Sequence, residues 1–311
     1  MESVLVLIAS SSVAPSGAGP DAPLGAGIVA AIADSLNQEG GNQEGARSDA
    51  VRWLAPDTAC EIPFTGITRS AAEAAAARVP GADGLEIAAL AQAGRRKMLL
   101  VADMDSTIVA GETLDELADF AGLKDKVAAI TARAMNGEIE YRQSLRERVG
   151  LLKGLSAEAL DKTLARTRLN PGAKTLVATM RAHGAHTLLV SSGFRFFTSR
   201  IRMQAGFDAD IGNELEIVDG TITGRVAEPI LDKEVKRRTL IETATRLGIA
   251  LERTLAVGDG ANDLPMIQAA GLGVAFHAKP SVDAAAPTRI RRADLTALLY
   301  LQGYPRAAFK D

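Results

Sequence analysis

Short apolar runs alternate with longer amphipathic segments over most of the chain beyond residue 96. Four of these runs have the length of strands and read Met98 to Ala102, Thr187 to Val190, Leu255 to Gly258 and Gly273 to Phe276. Parallel strands that are buried on both faces form continuous apolar runs of this kind, and helices connect them. The pattern therefore predicts an α/β fold with a doubly wound parallel sheet.

The stretch from residue 112 to 171 is predicted to be helical, and it separates the first of these strands from the second. Its predicted helices are Leu114 to Ala121, Leu123 to Met135, Tyr141 to Leu152 and, behind an N-cap at Ser156, Ala157 to Arg166. An insertion of this size at the carboxyl end of a strand would lie over the sheet edge as a cap. Such caps exclude water and gate access to a site beneath them.

Two further segments differ from this alternation. Asn213 to Val226 alternates apolar and polar residues around Asp219-Gly220, which predicts a β-hairpin beside the sheet. The pattern of residues 1–95 predicts a separate, small α+β domain, which precedes a second domain at 96–311. The first domain is predicted to contain strands at Val4 to Ala9 and Val51 to Leu54, and helices at Gly27 to Leu36, Ser70 to Val79 and Leu85 to Ala93. A regulatory or dimerising role for this domain, with a homodimer as one outcome, is a hypothesis.

Composition and charge restrict the classes of binding partner that we expect for this protein. The formal charge of -3 over 311 residues gives no basic field that would hold a nucleic acid. Glu2 precedes an apolar stretch too short for a signal core, and no run approaches the length of a membrane span. Cys60 is the single cysteine, so an intramolecular disulfide is excluded and a reducing compartment fits. We therefore expect a cytoplasmic protein with no nucleic-acid or membrane partner.

The first candidate for chemistry is Asp103-Met-Asp105-Ser106-Thr107, directly after the first predicted strand. Open α/β sheets bind their ligands at the carboxyl ends of strands. Two nearby carboxylates there suggest a divalent cation and a division of labour between a nucleophile and a proton carrier. Because Asp, Ser and Thr also favour helix N-caps, a strand end followed by an ordinary cap is an open alternative.

Polar residues follow two more of the predicted strands. The second strand ends in Ser191-Ser192-Gly193-Phe194, a turn that would expose a hydroxyl group and backbone N–H groups to an anion. Asp259-Gly260-Ala261-Asn262-Asp263 follows the third strand. Carboxylate oxygens are ligands that Mg²⁺ prefers, usually together with substrate phosphate. Lys236 lies between these two motifs, where an ordinary solvated helix position is the simpler interpretation.

The ordered set of these motifs resembles the haloacid-dehalogenase-like phosphatases, and within them the bacterial phosphoserine phosphatases. The resemblance covers about residues 97 to 305 and includes Glu112 and the cap segment from Ser144 through Arg148 to Lys153. It implies the haloacid-dehalogenase core fold, with the helical cap inserted at 112–171. The chain departs from the family at Ser192, where glycine is common, so the conformation of that turn is open.

The resemblance also implies roles for the site residues. Asp103 would be the nucleophile that forms an aspartyl phosphate, and Asp105 the general acid and base. Mg²⁺ would be held by Asp103, the backbone carbonyl of Asp105 and Asp259, with Asp263 behind them. The phosphoryl group would contact Ser191, Ser192, Lys236 and Asn262.

Substrate choice is expected to come from the cap. Glu112 would pair with an ammonium group and Arg148 with a carboxylate, while Met135 and Tyr141 would form the apolar wall of the pocket. Without the resemblance, Glu112 and Arg148 would be ordinary surface charges and Met135 and Tyr141 ordinary cap core. The implied function is Mg²⁺-dependent hydrolysis of O-phospho-L-serine to L-serine and phosphate, the last step of serine biosynthesis. Phosphoryl transfer to homoserine, or hydrolysis of another small phosphoester, is the alternative.

Overall fold

The computed structural model describes residues 2–9, 23–40, 47–48, 50–135 and 138–311. Its strands are β1 Ser3–Ala9, β2 Arg47–Ser48, β3 Arg52–Ala55, β4 Ala59–Thr65, β5 Leu85–Ala91, β6 Leu99–Ala102, β7 His186–Phe194, β8 Ala209–Asn213, β9 Leu215–Val218, β10 Thr221–Val226, β11 Thr254–Gly258, β12 Leu272–Phe276 and β13 Thr288–Ile290. Its α-helices are α1 Ala26–Gly40, α2 Arg69–Ala77, α3 Thr113–Phe120, α4 Lys124–Met135, α5 Tyr141–Leu151, α6 Glu158–Arg166, α7 Ala173–Ala182, α8 Arg195–Ala205, α9 Lys233–Arg246, α10 Leu264–Ala269, α11 Pro280–Ala285 and α12 Ala297–Leu301. Short 3₁₀ turns cover Ala82–Gly84, Leu251–Arg253 and Arg306–Ala308.

A six-stranded parallel sheet forms the centre of the larger domain, in the order β13-β12-β11-β6-β7-β8. The prediction of an α/β fold is confirmed. All four residues of β6 and all five of β11 and β12 are buried, which is why these strands could be recognised as apolar runs. Because β6 lies between β7 and β11, the polar residues that follow these three strands meet at one edge of the sheet.

Five helices, α3 to α7, lie between β6 and β7 in the described part of the chain, and the first four fall in the stretch where the sequence predicts a cap. The β9–β10 hairpin is also present, and its turn residues Asp219 and Gly220 both have positive φ, at 48° and 72°. The backbone N–H of Gly154 donates to the carbonyl of Ile222 at 2.9 Å, so the hairpin is bonded to the loop between α5 and α6. The cap therefore rests on the hairpin as well as on the sheet edge.

The N-terminal domain is built on an antiparallel sheet in the order β2-β4-β1-β5, with β3 paired to β4. Alternate residues of β1 pack on opposite sides. Leu5 and Leu7 join the cluster formed with α1 and α2, whereas Val4 and Val6 join the cluster that contains α12. The sheet is thus buried on both faces, between its own helices and the larger domain.

The prediction of a helix at Leu85 to Ala93 is wrong. Leu85–Ala91 is β5, and each of its seven residues is aligned with a residue of β1 in an antiparallel ladder. Leucine, alanine and glutamate favour a helix when considered alone, but pairing with β1 and burial on both faces override that preference. No helix in the described ranges has the length and apolarity that a membrane span requires.

Candidate active site

Three carboxylates converge at the carboxyl edge of the parallel sheet. Asp103 follows β6, and Asp259 and Asp263 follow β11. One oxygen from each lies within 4.8 Å of the others, and the three residues are 5%, 8% and 0% exposed. Glycine is required here, because a Cβ on Gly258 would lie 2.4 Å from Cγ of Asp263. The close turn after β11 is therefore what allows Asp263 to fold back towards Asp103.

Lys236 is the cation of this cluster. It lies in the first turn of α9, whose N-cap Asp232 accepts hydrogen bonds from the backbone of Glu234 and Val235. Its Nζ donates to Oδ1 of Asp103 and to Oδ1 of Asp263, both at 2.6 Å, and the residue is 1% exposed. Burial alone would lower the pKa of Lys236, but the two carboxylates outweigh it and raise the pKa, so the lysine is charged.

The charge of the cluster is not balanced by this lysine. Burial and the neighbouring charge of Asp263 raise the pKa of Asp103 well above its usual range, and the same causes raise the pKa of Asp259 to about 6. In the described part of the chain, these three buried carboxyl groups share one buried ammonium group, so their full ionisation would leave an excess negative charge. A divalent cation with a preference for oxygen ligands would neutralise that excess, so the donor set fits Mg²⁺.

Asp105 lies two residues beyond Asp103 and is held in place by three donors. Its Oδ1 accepts from the backbone N–H and the hydroxyl of Thr113 at 2.9 and 2.7 Å, and its Oδ2 accepts from Oγ of Ser191 at 2.9 Å. The Ser191 hydroxyl also accepts from the N–H of Gly193 at 2.8 Å. A Cβ on Gly193 would approach Oδ2 of Asp105 to 3.1 Å, so the small turn brings the β7 backbone onto this carboxylate.

The segment between Asp103 and α3 joins the cluster of three carboxylates to the rim of the site. Ser106 adopts a left-handed conformation with φ of 56°, which reverses the chain. Oγ1 of Thr107 donates to Asp259 at 3.2 Å, and Oγ of Ser106 donates to Oε1 of Glu112 at 3.0 Å. Burial of the carboxylate among neighbouring atoms, together with the charge of Asp105, raises the pKa of Glu112 to about 7, although the residue still reaches solvent.

The cap contributes α5 to the opposite wall. The hydroxyl of Tyr141 donates to the backbone carbonyl of Ser192 at 3.1 Å, and Nδ2 of Asn213 donates to the same carbonyl at 2.6 Å. Arg148 is half-buried, and its Nε donates weakly to the carbonyl of Ser144 at 3.4 Å. Within the described part of the chain, no carboxylate pairs with the Arg148 guanidinium.

The remaining predicted residues are located less completely. A Cβ on Gly260 would lie 2.4 Å from Oδ1 of Asn262, so the Asn262 amide folds back over that glycine beside Asp259. Ser192 lies in the β7 turn, and its hydroxyl is buried without a hydrogen-bond partner in the described part of the chain. Met135 is the last residue of α4, and its side chain lies outside the described residues.

Sequence reasoning missed several residues of the site. Thr113 holds Asp105, Thr107 contacts Asp259, and Asn213 fixes the Ser192 carbonyl while its Oδ1 accepts from the N–H of Leu231 at 2.8 Å. Thr107 is the last residue of the motif that begins at Asp103, so the sequence does offer a signal for it. The other two residues carry no local signal, because their importance arises only from contacts with residues eight or more positions away.

Known proteins resemble the chain in sequence and in structure. Residues 100–268 match the model of the haloacid dehalogenase-like hydrolase family. A phosphoserine phosphatase of Streptomyces coelicolor is 43% identical over 288 residues, which are 91% of this chain and 69% of that protein. A solved phospho-aspartyl intermediate analogue of phosphoserine phosphatase is 40% identical, has a TM-score of 0.62, and covers 66% of this chain and 98% of its own. The unliganded probable phosphoserine phosphatase of Vibrio cholerae is 30% identical, has a TM-score of 0.73, and covers 98% of this chain and 88% of its own. The last similarity extends over the N-terminal domain.

Proposed function

The chain belongs to the haloacid dehalogenase-like hydrolases, and on that basis we propose that it is a phosphoserine phosphatase, which hydrolyses O-phospho-L-serine to L-serine and phosphate. The observation that carries this proposal is the meeting of Asp103, Asp105 and Lys236 at one sheet edge, beneath a cap that presents Arg148. Nothing in the comparisons favours phosphoryl transfer to homoserine.

Asp103 is the nucleophile in the proposed mechanism. Its carboxylate oxygen forms a bond to phosphorus while the bond from phosphorus to the serine oxygen breaks, and Asp105 gives that oxygen a proton. The amino acid then leaves. A water molecule attacks the aspartyl phosphate, Asp105 takes its proton, and release of phosphate restores the Asp103 carboxylate. The hydrogen bonds from Thr113 hold the Asp105 carboxyl group at this position in both steps.

The phosphoryl group is held by cations and donors around Asp103. Lys236 neutralises charge that would otherwise repel the aspartate nucleophile, and Ser192 and Asn262 donate hydrogen bonds to phosphoryl oxygens. Ser191 has one hydroxyl proton, which turns from Asp105 to a phosphoryl oxygen when the substrate binds. Asp103, the backbone carbonyl of Asp105 and Asp259 would hold Mg²⁺, with Asp263 behind them. The ion, when bound, would stabilise negative charge on the transferring group.

Removal of the metal gives a direct prediction. Treatment with a chelator is expected to reduce phosphate release at least about 100-fold, and added Mg²⁺ to restore it, since three carboxylates and one lysine leave the site with excess negative charge. The thermal midpoint is expected to rise with Mg²⁺, because the ion binds the folded site and not the unfolded chain. Full activity in the chelated protein would contradict the metal assignment.

The cap side of the pocket is proposed to recognise the amino-acid part of the substrate. Glu112 binds the ammonium group and Arg148 the carboxylate, because a guanidinium fork matches two carboxylate oxygens. Met135 and Tyr141 form the wall between them. A phosphate-release assay with L-phosphoserine, D-phosphoserine and phosphoethanolamine, each with and without homoserine, tests the function. Activity that depends on homoserine, or that prefers another phosphoester, would overturn it.

The raised pKa of Glu112 predicts a pH dependence. With its pKa at about 7 in the free protein, Glu112 loses its charge as the pH falls through 7, so kcat/KM for phosphoserine is expected to fall there. Glu112→Gln removes the charge at every pH and is expected to lower kcat/KM at pH 8 by about 10- to 100-fold. The ratio of the wild-type kcat/KM to that of the variant should shrink towards pH 6. Taking this ratio cancels the titration of the substrate, which is the same for both proteins. A constant ratio would contradict the assignment.

The N-terminal domain is proposed to regulate or dimerise the enzyme. Its support is a separate antiparallel sheet that the similarity to the solved Vibrio cholerae structure includes. Inhibition by L-serine and the sedimentation mass of the full chain measure the two roles, and absence of both effects would leave the domain structural. A cytoplasmic location stays a prediction.

A further inference from the structure

Ser144 carries an unexplained hydroxyl group in the cap. The residue lies at the end of the first turn of α5 and is 1% exposed, and its Oγ has no hydrogen-bond partner in the described part of the chain. Only five buried side-chain nitrogen or oxygen atoms in the described ranges share this state. A buried donor without a partner costs free energy, so it calls for an explanation such as a ligand that completes it.

The usual internal solution is not used at this residue. A serine or threonine in a helix can donate back to the carbonyl four residues earlier. Thr131 and Thr163, both in the cap, do so at 3.0 and 2.9 Å. The corresponding acceptor for Ser144 is the carbonyl of Glu140, which accepts only the backbone N–H of Ser144 in the described part of the chain. The Ser144 hydroxyl is therefore free to serve a partner from outside the helix.

The position of Ser144 on α5 points to the substrate pocket. Tyr141, Ser144 and Arg148 are spaced by three and four residues, so they form one stripe along the helix. The Tyr141 hydroxyl donates to the carbonyl of Ser192, which fixes this stripe against the carboxyl end of β7. With about 100° of rotation per residue, Ser144 lies on the Arg148 side of the stripe, away from the apolar side that carries Leu145 and Val149.

Ser144 and Arg148 are also linked to each other. Nε of Arg148 donates to the carbonyl of Ser144 at 3.4 Å, which holds the base of the guanidinium beside the serine backbone. The other nitrogens of the guanidinium pair with no carboxylate among the described residues. The neutral Ser144 hydroxyl and the terminal nitrogens of the charged Arg148 guanidinium therefore have no acceptor among the described residues, and the spacing of four places both side chains on the same face of α5. A carboxylate offers two acceptor oxygens and would satisfy both.

We infer that Ser144 is a further substrate-binding residue, whose hydroxyl donates to the substrate carboxylate beside the Arg148 guanidinium. This inference rests on the proposed function, because phosphoserine supplies the carboxylate. Ser144 and Arg148, both in the cap, would then select phosphoesters that carry a carboxylate over those that do not. Removal of the hydroxyl should therefore affect only substrates that carry a carboxylate.

The test compares Ser144→Ala with wild type on phosphoserine and on phosphoethanolamine, which has the ammonium and phosphate groups but no carboxylate. We expect kcat/KM for phosphoserine to fall about 10-fold or more, mainly through KM, as for the loss of a hydrogen bond to a charged acceptor. The kcat/KM for phosphoethanolamine should stay unchanged. Equal losses on both substrates, or no loss on either, would overturn the inference.

Stability and a matched variant separate binding from a structural role. Because the hydroxyl has no partner in the protein, Ser144→Ala should keep or raise the melting temperature of the substrate-free enzyme. Ser156→Ala in the same cap is expected to leave both kcat/KM values unchanged, since its Oγ is exposed and accepts from the N–H of Glu158 at 3.3 Å. If the alanine variant does not fold, Ser144→Cys keeps the size with a weak donor and should show the same selective loss.

Failure of the inference can be told from failure of the proposed function. A wild-type enzyme that does not hydrolyse phosphoserine would refute the function. A wild-type enzyme that does, with a Ser144→Ala variant of unchanged substrate preference, would refute only the role of Ser144.

Discussion

Asp103→Asn is expected to reduce the rate of phosphate release from phosphoserine by about 10⁴-fold or more, while the protein stays folded. The amide keeps the size of the side chain but lacks the anionic oxygen that would attack phosphorus. Lys236 keeps its contact with Asp263, so the buried ammonium still has a carboxylate partner. The substitution also removes one of the three negative charges that crowd this site.

Steady-state phosphate release and mass spectrometry of acid-quenched protein measure this effect. Wild type should trap a phosphorylated species during turnover, and Asp103→Asn should not. Asp161→Asn is the matched control, because Asp161 is an exposed residue of α6 and should leave turnover unchanged. Residual activity above about one tenth of wild type would exclude Asp103 as the nucleophile.

Lys236→Met is expected to have the second large effect, on stability as well as on activity. It leaves Asp103 and Asp263 buried without their shared cation, and breaking a buried ion pair in this way costs about 3–5 kcal/mol. Mg²⁺ should recover part of the loss, because it supplies positive charge to the same carboxylates. A lower pH should also reduce the loss, since the carboxylates of this crowded site can then take up protons.

Urea denaturation of both proteins, with and without Mg²⁺, measures the change in the free energy of unfolding. Lys162→Met is the control, because Lys162 is an exposed residue of α6 whose nearest carboxylate oxygen, on Glu158, is 3.8 Å away. That substitution should change the free energy of unfolding by less than about 0.5 kcal/mol. If Lys236→Met were as stable as wild type, the ion pairs would contribute little, and the lysine would act on the substrate alone.

The sequence predicted the strand ends better than it predicted the N-terminal domain. β6, β11 and β12 are entirely buried, so their composition alone distinguishes them from the surrounding helices. β5 was mistaken for a helix, because its leucine, alanine and glutamate residues become a strand only through pairing with β1. A local preference worth a few tenths of a kcal/mol per residue cannot compete with a complete ladder and burial on both faces.

The roles of Lys236, Thr113 and Ser144 could not be read from their local sequence. Each is an ordinary helix residue until the fold brings it to a carboxylate, to Asp105 or to the stripe that contains Arg148. The ordered motifs that resemble a family point to Lys236. They give no role to Thr113 or to Ser144, although Ser144 begins the cap segment that the resemblance includes. Hydrogen bonding and burial revealed the latter two.

By itself, the sequence determined that acidic and hydroxyl residues follow several buried parallel strands and that a helical cap interrupts the first crossover. The spacing of the apolar residues carries this information, because a strand that is buried on both faces must be apolar at every position, whereas a helix with one buried face is apolar at every third or fourth. The tertiary structure alone decided that β6 lies between β7 and β11. That strand order brings Asp103 to Asp263 and Asp105 to Ser191, across separations of many residues. The excess negative charge beside Lys236 and the unpartnered hydroxyl of Ser144 follow from those contacts and from burial, which no local pattern in the chain records.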